Sequence, residues 1–379
     1  MLKKVTLVYF DAGGGHRASM TALRSVIESQ QRPWQLTALN LQELLDSVDP
    51  FLKLTKIRLQ DVYNRMIQRG MTLGTPALLK GLHGLIRLFH GPTVRALERH
   101  WRTAQPDLVV SLVPNFNRQL WQSLRATLPE VPYVTVITDI ADYPPHFWIE
   151  RQQQYVVCPS ERAVAQGLAL GHPPERLLRV SSVILNPRFY EPVQVDRAAE
   201  RRKLGLDPER ATGLVMFGGH GSGVMTEIVE RLDRAALPVQ LVAICGHNEK
   251  LATRLRARRG RMPVFVEGFT KEVPHYMALA DFFIGKPGPG SICEALQMNL
   301  PVIVERNVWT LPQERYNCDW ILEKQVGVVL PNFRGIAAAV AQLIEPAALA
   351  RYRANASAIQ NRAVFEIPHK LAQVLRTAS

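Results

Sequence analysis

Short apolar runs rich in Val, Ile, Leu and Phe recur along the chain, with helical stretches between them. Most runs are nearly continuous rather than alternating, which is typical of parallel strands covered on both faces. Five strands are predicted in the N-terminal half, at 4–10, 35–41, 107–113, 133–139 and 155–158. Six are predicted in the C-terminal half, at 213–217, 239–245, 264–266, 281–285, 301–305 and 327–330. The repeated strand–helix–strand order predicts the α/β class, with doubly wound parallel sheets.

The strand–helix rhythm breaks near residue 190, where prolines interrupt it and a charged helix over 197–204 precedes the next strand. A length of 379 residues also favours two domains, at roughly 150 residues per domain. We predict two Rossmann-like domains, 1–190 and 191–345, that face each other across a cleft. Residues 346–379 are predicted as a C-terminal helical tail.

Charge is unevenly distributed, because 46 Lys and Arg stand against 33 Asp and Glu and the net charge is +13. Residues 51–105 contain no predicted strand and hold ten basic residues against two acidic ones. Apolar positions there recur at helical spacing beside a basic stripe, which predicts an amphipathic basic helix pair inserted in the first domain. Such a segment favours an anionic membrane surface, at about 1 kcal/mol per basic residue near the headgroups. The alternative is a solvated helical hairpin that covers the sheet.

Several protein classes are disfavoured by the sequence. The four cysteines lie far apart without a CxxC pair, which argues against a disulfide scaffold or a zinc module and fits a reduced cytoplasmic setting. The first apolar stretch is too short for a signal sequence and leads into a glycine run, so it predicts a strand. No apolar run approaches the ~20 residues of a membrane span, so the protein is not predicted to be integral to a membrane.

A glycine-rich loop follows the first strand of each of the two predicted domains. Residues 11–19 contain Gly13, Gly14 and Gly15 before His16, and this spacing differs from the dinucleotide fingerprint GxGxxG. Glycines allow a sharp turn that presents N–H groups, and the helix N-terminus that follows favours an anion. The second loop takes the same place in the second domain, so both are expected at one cleft. Its candidate residues are Gly218, Gly219, His220 and Gly221.

Two more motifs follow strands of the second domain. Residues 285–296 combine a Pro/Gly loop, with Gly288 and Gly290, and a helix predicted to start near Ser291, whose N–H groups can hold a pyrophosphate. Glu294 is predicted in the first turn, where it can accept both hydroxyls of a ribose, and Ser291 with Glu294 also fits a capping box. Another polar set follows the strand 301–305 at a spacing that suits sugar hydroxyls: Gln313, Glu314 and Asn317.

The order of these motifs resembles that of the GT-B glycosyltransferases that make monogalactosyldiacylglycerol. It is also similar, more distantly, to the N-acetylglucosaminyltransferase of peptidoglycan lipid-intermediate synthesis. The likeness extends to the segment 136–139, followed by His146 and Trp148, and to the segment 186–188. Two positions depart from the pattern: Pro287 replaces a small residue, and Tyr316 replaces a glycine beside the sugar set. The resemblance therefore implies that the donor is a UDP-sugar, but it does not identify the sugar.

The resemblance implies that the second domain binds a UDP-sugar and the first an acceptor. Uracil is expected near Phe269, ribose at Glu294, and the pyrophosphate on Gly290, Ser291 and the 218–223 loop, with Arg188 adding charge. The sugar set is expected to hold the hexose, and His146 and Trp148 to shape the acceptor pocket. The resemblance also implies that the transfer inverts the anomeric configuration. No D-x-D motif ends a strand, so no metal or other cofactor is expected.

The acceptor hydroxyl needs a base, and the candidates are Asp139 and His16. We favour Asp139 as the base and His16 as a polarising or orienting group.

The predicted function is hexosyl transfer to a lipid, with diacylglycerol as the favoured acceptor, by a cytoplasmic enzyme held peripherally at the inner face of the membrane. Alternatives are another lipid or polyprenyl-linked acceptor, and a UDP-sugar epimerase that needs no lipid. A nucleic-acid-binding protein is a remote alternative, because it would interleave basic residues with stacking aromatics. Residues 51–105 contain only four Phe, Tyr and Trp residues, two of them in apolar stripes.

Overall fold

The structure is a computed structural model that describes residues 2–11, 15–46 and 89–377. The chain divides into two compact units. The first contains Met1–Pro187, Leu311–Gln313 and Asn361–Ser379; the second contains Arg188–Thr310 and Glu314–Gln360. Most of the predicted basic insert lies outside the described residues, and only 89–105 of it is described.

The first unit is built on a six-stranded parallel sheet with the strand order β2-β1-β3-β4-β5-β6. Its central strands are buried on both faces, as in β3, where every residue is inaccessible to solvent. This explains why their sequences are continuous Val and Leu runs. The strands are β1 (Lys3–Tyr9), β2 (Trp34–Asn40), β3 (Leu108–Ser111), β4 (Tyr133–Val136), β5 (Tyr155–Cys158) and β6 (Leu177–Arg179).

Helices of the first unit connect successive strands and cover the sheet. The third, His90–Ala104, buries Leu97 and Trp101 in the core of the sheet and leaves Arg95 and Arg99 exposed. The last helix of the chain packs against the first, so this unit is completed by the C-terminus. The helices are α1 (Gly15–Ser29), α2 (Leu41–Asp46), α3 (His90–Ala104), α4 (Asn117–Thr127), α5 (Glu161–Ala169) and, at the end of the chain, α14 (Ala363–Thr377).

The second unit contains another six-stranded parallel sheet, with the order β12-β11-β10-β7-β8-β9. Its apolar core joins strands such as β7 and β8 to the helices that cover them. The order reverses between β7 and β10, which is the position where ligands bind in open α/β sheets. The strands are β7 (Ala211–Met216), β8 (Val239–Ile244), β9 (Val264–Glu267), β10 (Phe282–Gly285), β11 (Val302–Glu305) and β12 (Gly327–Leu330).

Local sequence signals explain where the helices of the second unit begin. Asp196 accepts a hydrogen bond from the Ala199 N–H and Asn248 one from the Leu251 N–H, so both act as N-caps. The helices are α6 (Arg197–Lys203), α7 (Val224–Ala235), α8 (Glu249–Arg256), α9 (Val273–Leu279), α10 (Pro289–Gln297), α11 (Pro312–Lys324), α12 (Ile336–Leu343) and α13 (Pro346–Ser357).

Two details of the sequence prediction are wrong. Strand β6 was not predicted, because three residues at the sheet edge are too short to give a periodic signal. The capping box at Ser291 and Glu294 does not form either. Helix α10 begins at Pro289 with Gly288 as N-cap, so Ser291 is already its third residue and Glu294 lies in the second turn.

The segment predicted as a C-terminal helical tail is divided between the units, since α13 belongs to the second and α14 to the first. Among the described helices, none is by itself long and apolar enough to cross a membrane. The segments Phe333–Leu343 and Pro346–Ser357 are together long and apolar enough, but the chain bends by 96° between them.

Candidate active site

His16 is the second residue of α1, at the carboxyl end of β1. The neighbouring Gly13 and Gly14 lie outside the described residues, and Gly15 begins the helix. The Nδ1 atom of His16 lies 3.3 Å from the Thr138 hydroxyl, and the ring also hydrogen-bonds to the Leu112 backbone. Desolvation lowers the pKa of His16 to about 4, so the imidazole is neutral near pH 7.

Asp139 follows the end of β4 and is buried. Its Oδ2 atom accepts a hydrogen bond of 2.8 Å from the Trp148 indole N–H. The Trp148 ring lies 5.8 Å from the His16 ring, measured between centroids. The structure thus brings together both sequence-predicted candidates for acid–base chemistry, with Trp148 between them.

Trp148 is fully buried, whereas His146 is exposed. Because its side chain has no solvent-accessible surface, Trp148 can shape a site only from beneath, through the Asp139 carboxylate that it binds. His146 has a φ angle of +65°, a conformation that non-glycine residues seldom adopt.

Asp142 holds the loop that carries these two residues. Its carboxylate accepts the Trp148 N–H at 2.6 Å and the His146 N–H at 3.1 Å. The Asp142 backbone is fixed in turn by both polar atoms of the Gln166 side chain. Desolvation raises the pKa of Asp142 to about 6, against the opposing effect of its backbone hydrogen bonds. Sequence reasoning missed this role, and the only signal was an acidic residue before a proline-rich loop.

The glycine loop of the second unit packs tightly against the loop that follows β8. Gly221 has a φ of +58°, and a Cβ atom placed on it would lie 2.7 Å from the Cys245 carbonyl oxygen. The Gly219 carbonyl accepts the His247 N–H at 2.8 Å. Both the left-handed backbone and the close approach require glycine at 221.

Three aromatic rings cluster where β7, β8 and β9 end. His247 stacks on Phe269 with a centroid distance of 3.9 Å and an interplanar angle of 16°. His220 lies 5.9 Å from the His247 ring. Phe269 is 54% exposed, so the stack presents a flat surface at the carboxyl edge of the sheet. His247 was not predicted, although it follows a strand directly, as the other candidates do.

At the start of α10, the backbone N–H groups of Gly290 and Ser291 have no hydrogen-bond partner among the residues that the structure describes. Pro289 has no N–H, and the Ile292 N–H already donates to the Gly288 carbonyl at 3.1 Å. The Ser291 hydroxyl also donates to that carbonyl, at 3.3 Å. The free N–H groups and the helix dipole make this end of α10 suitable for a phosphate.

Glu294 is half-buried in the second turn of α10. Desolvation raises the pKa of this carboxyl to about 7. A partly desolvated carboxylate gains from hydroxyl donors, because they restore the hydrogen bonds that water would make.

The first two turns of α11 carry the predicted sugar set. Gln313 is partly exposed, and Glu314 is buried with its Oε1 atom 3.2 Å from the Lys286 Nζ. Asn317 is fully buried and donates to the Pro287 carbonyl at 2.8 Å. Asn317 thus holds the Pro/Gly loop through its amide nitrogen, while its Oδ1 atom is buried without a hydrogen-bond partner among the described residues.

Arg188 is exposed at the start of the second unit. Its guanidinium lies 3.9 Å from the Glu272 carboxylate and donates to the Lys271 carbonyl at 3.4 Å. In the described part of the chain, no group of three or more His, Cys, Asp or Glu side chains is arranged to hold a metal ion.

Comparison with known proteins places these motifs in context. Residues 214–305 match the model of the glycosyltransferase family 28 C-terminal domain. That range spans the second glycine loop and the start of α10.

The chain is 31% identical to a probable monogalactosyldiacylglycerol synthase 2 of Oryza sativa subsp. japonica, and the match covers 98% of this chain and 81% of the relative. It is 27% identical to the monogalactosyldiacylglycerol synthase of Spinacia oleracea, over 99% of this chain and 73% of the relative.

Solved structures show the same fold. MurG of Acinetobacter baumannii superimposes with a TM-score of 0.65 at 13% identity, covering 98% of this chain and 99% of its own. Anabaena Alr3699/HepE, solved in complex with UDP, gives a TM-score of 0.56 at 15% identity, covering 99% of this chain and 100% of its own. The two parallel six-stranded sheets are therefore those of a GT-B fold, as the sequence predicted.

Proposed function

Because the chain belongs to the monogalactosyldiacylglycerol synthase family of glycosyltransferases, we propose that it transfers a hexosyl group from a UDP-sugar to diacylglycerol. The observation that carries this proposal is the similarity to lipid glycosyltransferases along 98% of the chain. The product is a glycosyldiacylglycerol. An acceptor lipid of another kind is the alternative that the experiment below separates.

The donor binds, in this proposal, at the carboxyl edge of the second sheet. The free N–H groups of Gly290 and Ser291 and the 218–223 loop hold the diphosphate, and Arg188 adds a positive charge. Glu294 accepts the ribose hydroxyls. The exposed face of the Phe269–His247 stack supports the uracil, since every base has a π-face that can stack on a ring.

The hexose lies at the first turn of α11. Gln313 and Glu314 bind its hydroxyls, and Lys286 fixes the orientation of the Glu314 carboxylate. Asn317 acts from below by holding the Pro287 carbonyl, which sets the course of the loop ahead of α10.

Asp139 removes the proton of the acceptor hydroxyl, and the hydroxyl oxygen attacks the anomeric carbon with inversion. The Trp148 indole orients the Asp139 carboxylate. His16 acts as a neutral orienting group, because its lowered pKa keeps it uncharged at the working pH. The leaving UDP develops negative charge where the helix N-terminus and basic side chains are already in place, so the proposed transfer needs no metal.

The enzyme works, in this proposal, at the inner face of an anionic membrane through residues 51–105. Residues 51–88 lie outside the described residues. In the described remainder, α3 turns Trp101 into the core and keeps Arg95, Arg99 and Arg102 on its exposed side, as a surface-binding helix would.

A donor-by-acceptor screen tests the function. UDP-galactose, UDP-glucose and UDP-N-acetylglucosamine are each offered with diacylglycerol, with a polyprenyl-linked acceptor and with no lipid, and the glycolipid and free UDP are measured. We expect a glycosyldiacylglycerol from one donor. Conversion of the donor in the absence of lipid would indicate an epimerase or hydrolase, and transfer only to the polyprenyl acceptor would replace diacylglycerol.

The base is tested with Asp139→Asn, which keeps the shape of the side chain and removes its basicity. We expect UDP affinity, measured by calorimetry, to be unchanged and transfer to be lost. Full transfer in this variant would move the base role to another residue.

A further inference from the structure

An exposed cluster of arginines lies on the second unit, away from every residue given a role above. The segment 250–261 holds six basic residues and no acidic one. The net charge of +6 in this segment and of +8 in residues 51–105 add up to +14, one more than the net charge of the whole chain. The rest of the chain therefore carries a net charge of −1, and the whole basic excess resides in two stretches.

Two arginines of the segment stabilise the fold. Arg258 forms an ion pair of 3.2 Å with Asp233, and Arg256 donates to the Val266 carbonyl at 3.3 Å. Three others are exposed: Arg254, Arg259 and Arg261. Arg234, which follows Asp233 at the end of α7, is exposed as well. We call these last four residues the arginine surface. In the described part of the chain, none of the four has an acidic group within ion-pair distance.

Asp233 fixes the backbone of the loop that carries Arg259 and Arg261. Its Oδ1 atom accepts the N–H groups of Arg261 at 2.9 Å and Met262 at 2.6 Å. These backbone hydrogen bonds and the Arg258 charge lower the pKa of Asp233, so it remains ionised. The loop is thereby fixed with its backbone toward α7.

The position of the surface separates it from the donor site. Helix α8 runs from the carboxyl end of β8 back to the amino end of β9, so the loop 257–263 lies at the amino edge of the sheet. The donor motifs follow the carboxyl ends of the strands. Strands of four to six residues put about 13–20 Å between the two edges. The UDP diphosphate is therefore not the partner of these arginines.

We propose that the arginine surface docks on the anionic headgroups of a phospholipid bilayer. Segment 250–261 contains no aromatic residue, and the adjoining Met262 is buried, so it offers neither a stacking surface for bases nor an apolar anchor. What remains is an array of point charges, which fits the diffuse negative potential of an anionic leaflet. This contact is independent of the predicted insert and requires no step of the proposed reaction.

Vesicle binding by the full chain tests the proposal. Vesicles of 30% phosphatidylglycerol in phosphatidylcholine are compared with pure phosphatidylcholine, at about 50 mM and 500 mM salt. The test variant is the triple replacement Arg254→Gln, Arg259→Gln and Arg261→Gln. The matched control, Arg202→Gln with Lys324→Gln and Arg334→Gln, removes the same charge from three other exposed positions of the unit.

We expect the wild-type chain to bind the anionic vesicles and to be released by high salt. The test variant should bind about 10- to 100-fold more weakly, while the control changes affinity less than about twofold. Equal loss in both variants would mean that only total charge matters, and the proposal would fail. It would also fail if the test variant lost binding to a single-stranded oligonucleotide but kept vesicle binding.

Transfer to a soluble short-chain acceptor separates this proposal from the proposed function. The test variant should retain wild-type turnover there, since no replaced residue belongs to the site. Absence of turnover in every form would refute the proposed reaction and leave the vesicle result standing.

Discussion

Asp142 is a single buried carboxylate on which the shape of a whole loop depends. Both of its oxygens accept backbone N–H groups, from His146 and Trp148, and Trp148 in turn orients Asp139. In Asp142→Asn an NH2 group replaces one of the two carboxylate oxygens and then faces a backbone N–H, of His146 or Trp148, that also needs an acceptor. Losing one such buried hydrogen bond costs about 1–3 kcal/mol. We expect transfer to fall about tenfold or more, since misplacement of the base by an ångström is enough.

The readout that distinguishes positioning from simple destabilisation is the indole N–H resonance of Trp148, identified by its absence in Trp148→Phe. It should shift in Asp142→Asn at temperatures where the variant is still folded. Asp107→Asn is the matched control, because Asp107 also accepts a backbone N–H, from Lys4 at 2.7 Å, at a position outside the site. An unshifted indole resonance with reduced transfer would place the effect of Asp142 elsewhere.

Glu294 predicts a pH dependence of nucleotide binding. Its pKa in the free protein is raised to about 7, and ribose hydroxyls bind the ionised form, so binding must displace a proton below that pH. The dissociation constant for UDP should therefore rise about tenfold for each pH unit below 7 and level off above it. Calorimetry between pH 6 and pH 8.5 measures this.

The phosphate of UDP also titrates near this pH range. The variant Glu294→Gln shows the pH dependence that the phosphate alone causes. The variant has no ionisable group at the ribose position, so its weaker binding should vary with pH only as the phosphate does. If wild type and variant gave parallel curves, Glu294 would not be the ribose ligand.

Helix α14 was predicted only as part of a C-terminal helical tail, and in the structure it belongs to the first unit. It packs on α1 and turns Ile367, Leu371 and Val374 into the core. Glu366 accepts the Ser181 N–H at 2.7 Å. Leu371→Ala should lower the free energy of unfolding of this unit by about 2–5 kcal/mol, measured by denaturant titration. Gln373→Ala, on the exposed side of the same helix, should change it by less than about 0.5 kcal/mol.

Elements of this kind mark the boundary of what the sequence predicts. The strands of both sheets were predictable, because burial on both faces produces continuous apolar runs such as the one in β8. The packing partner of α14 was not predictable, because the pattern of an amphipathic helix shows that one face is buried but does not show which unit covers it. Strand β6 was missed for another reason: its pattern is too short.

The candidate site divides in a similar way. Glycine loops after strands are visible as motifs, so His16 and Ser291 could be named from the sequence pattern, whereas Asp139 was named through the family resemblance. Asp142 and His247 could not be named, since their roles arise from backbone N–H groups and ring stacking that only the folded chain brings together. The supporting contacts of Trp148 with Asp139 and of Asn317 with the Pro287 carbonyl were likewise not visible in the sequence.

The chain crosses between its two units more than once, and this determines how the molecule can be divided. The second unit is contiguous from 188 to 360 apart from three residues, and its apolar core is drawn entirely from that range. We expect a fragment of residues 188–360 to fold by itself and to bind UDP. The first unit, by contrast, needs α14 from the far end of the chain, so residues 1–187 alone should be unstable.

Thermal unfolding of the two fragments, with calorimetry of UDP binding to the 188–360 fragment, tests this division. Saturation with UDP at 100 times its dissociation constant should stabilise that fragment by about 2.7 kcal/mol. A synthetic peptide of residues 361–379 should restore cooperative unfolding to fragment 1–187, and the same peptide carrying Leu371→Ala should do so less well. Cooperative unfolding of 1–187 without the peptide would show that α14 is dispensable, and failure of 188–360 to bind UDP would show that the donor site requires the first unit.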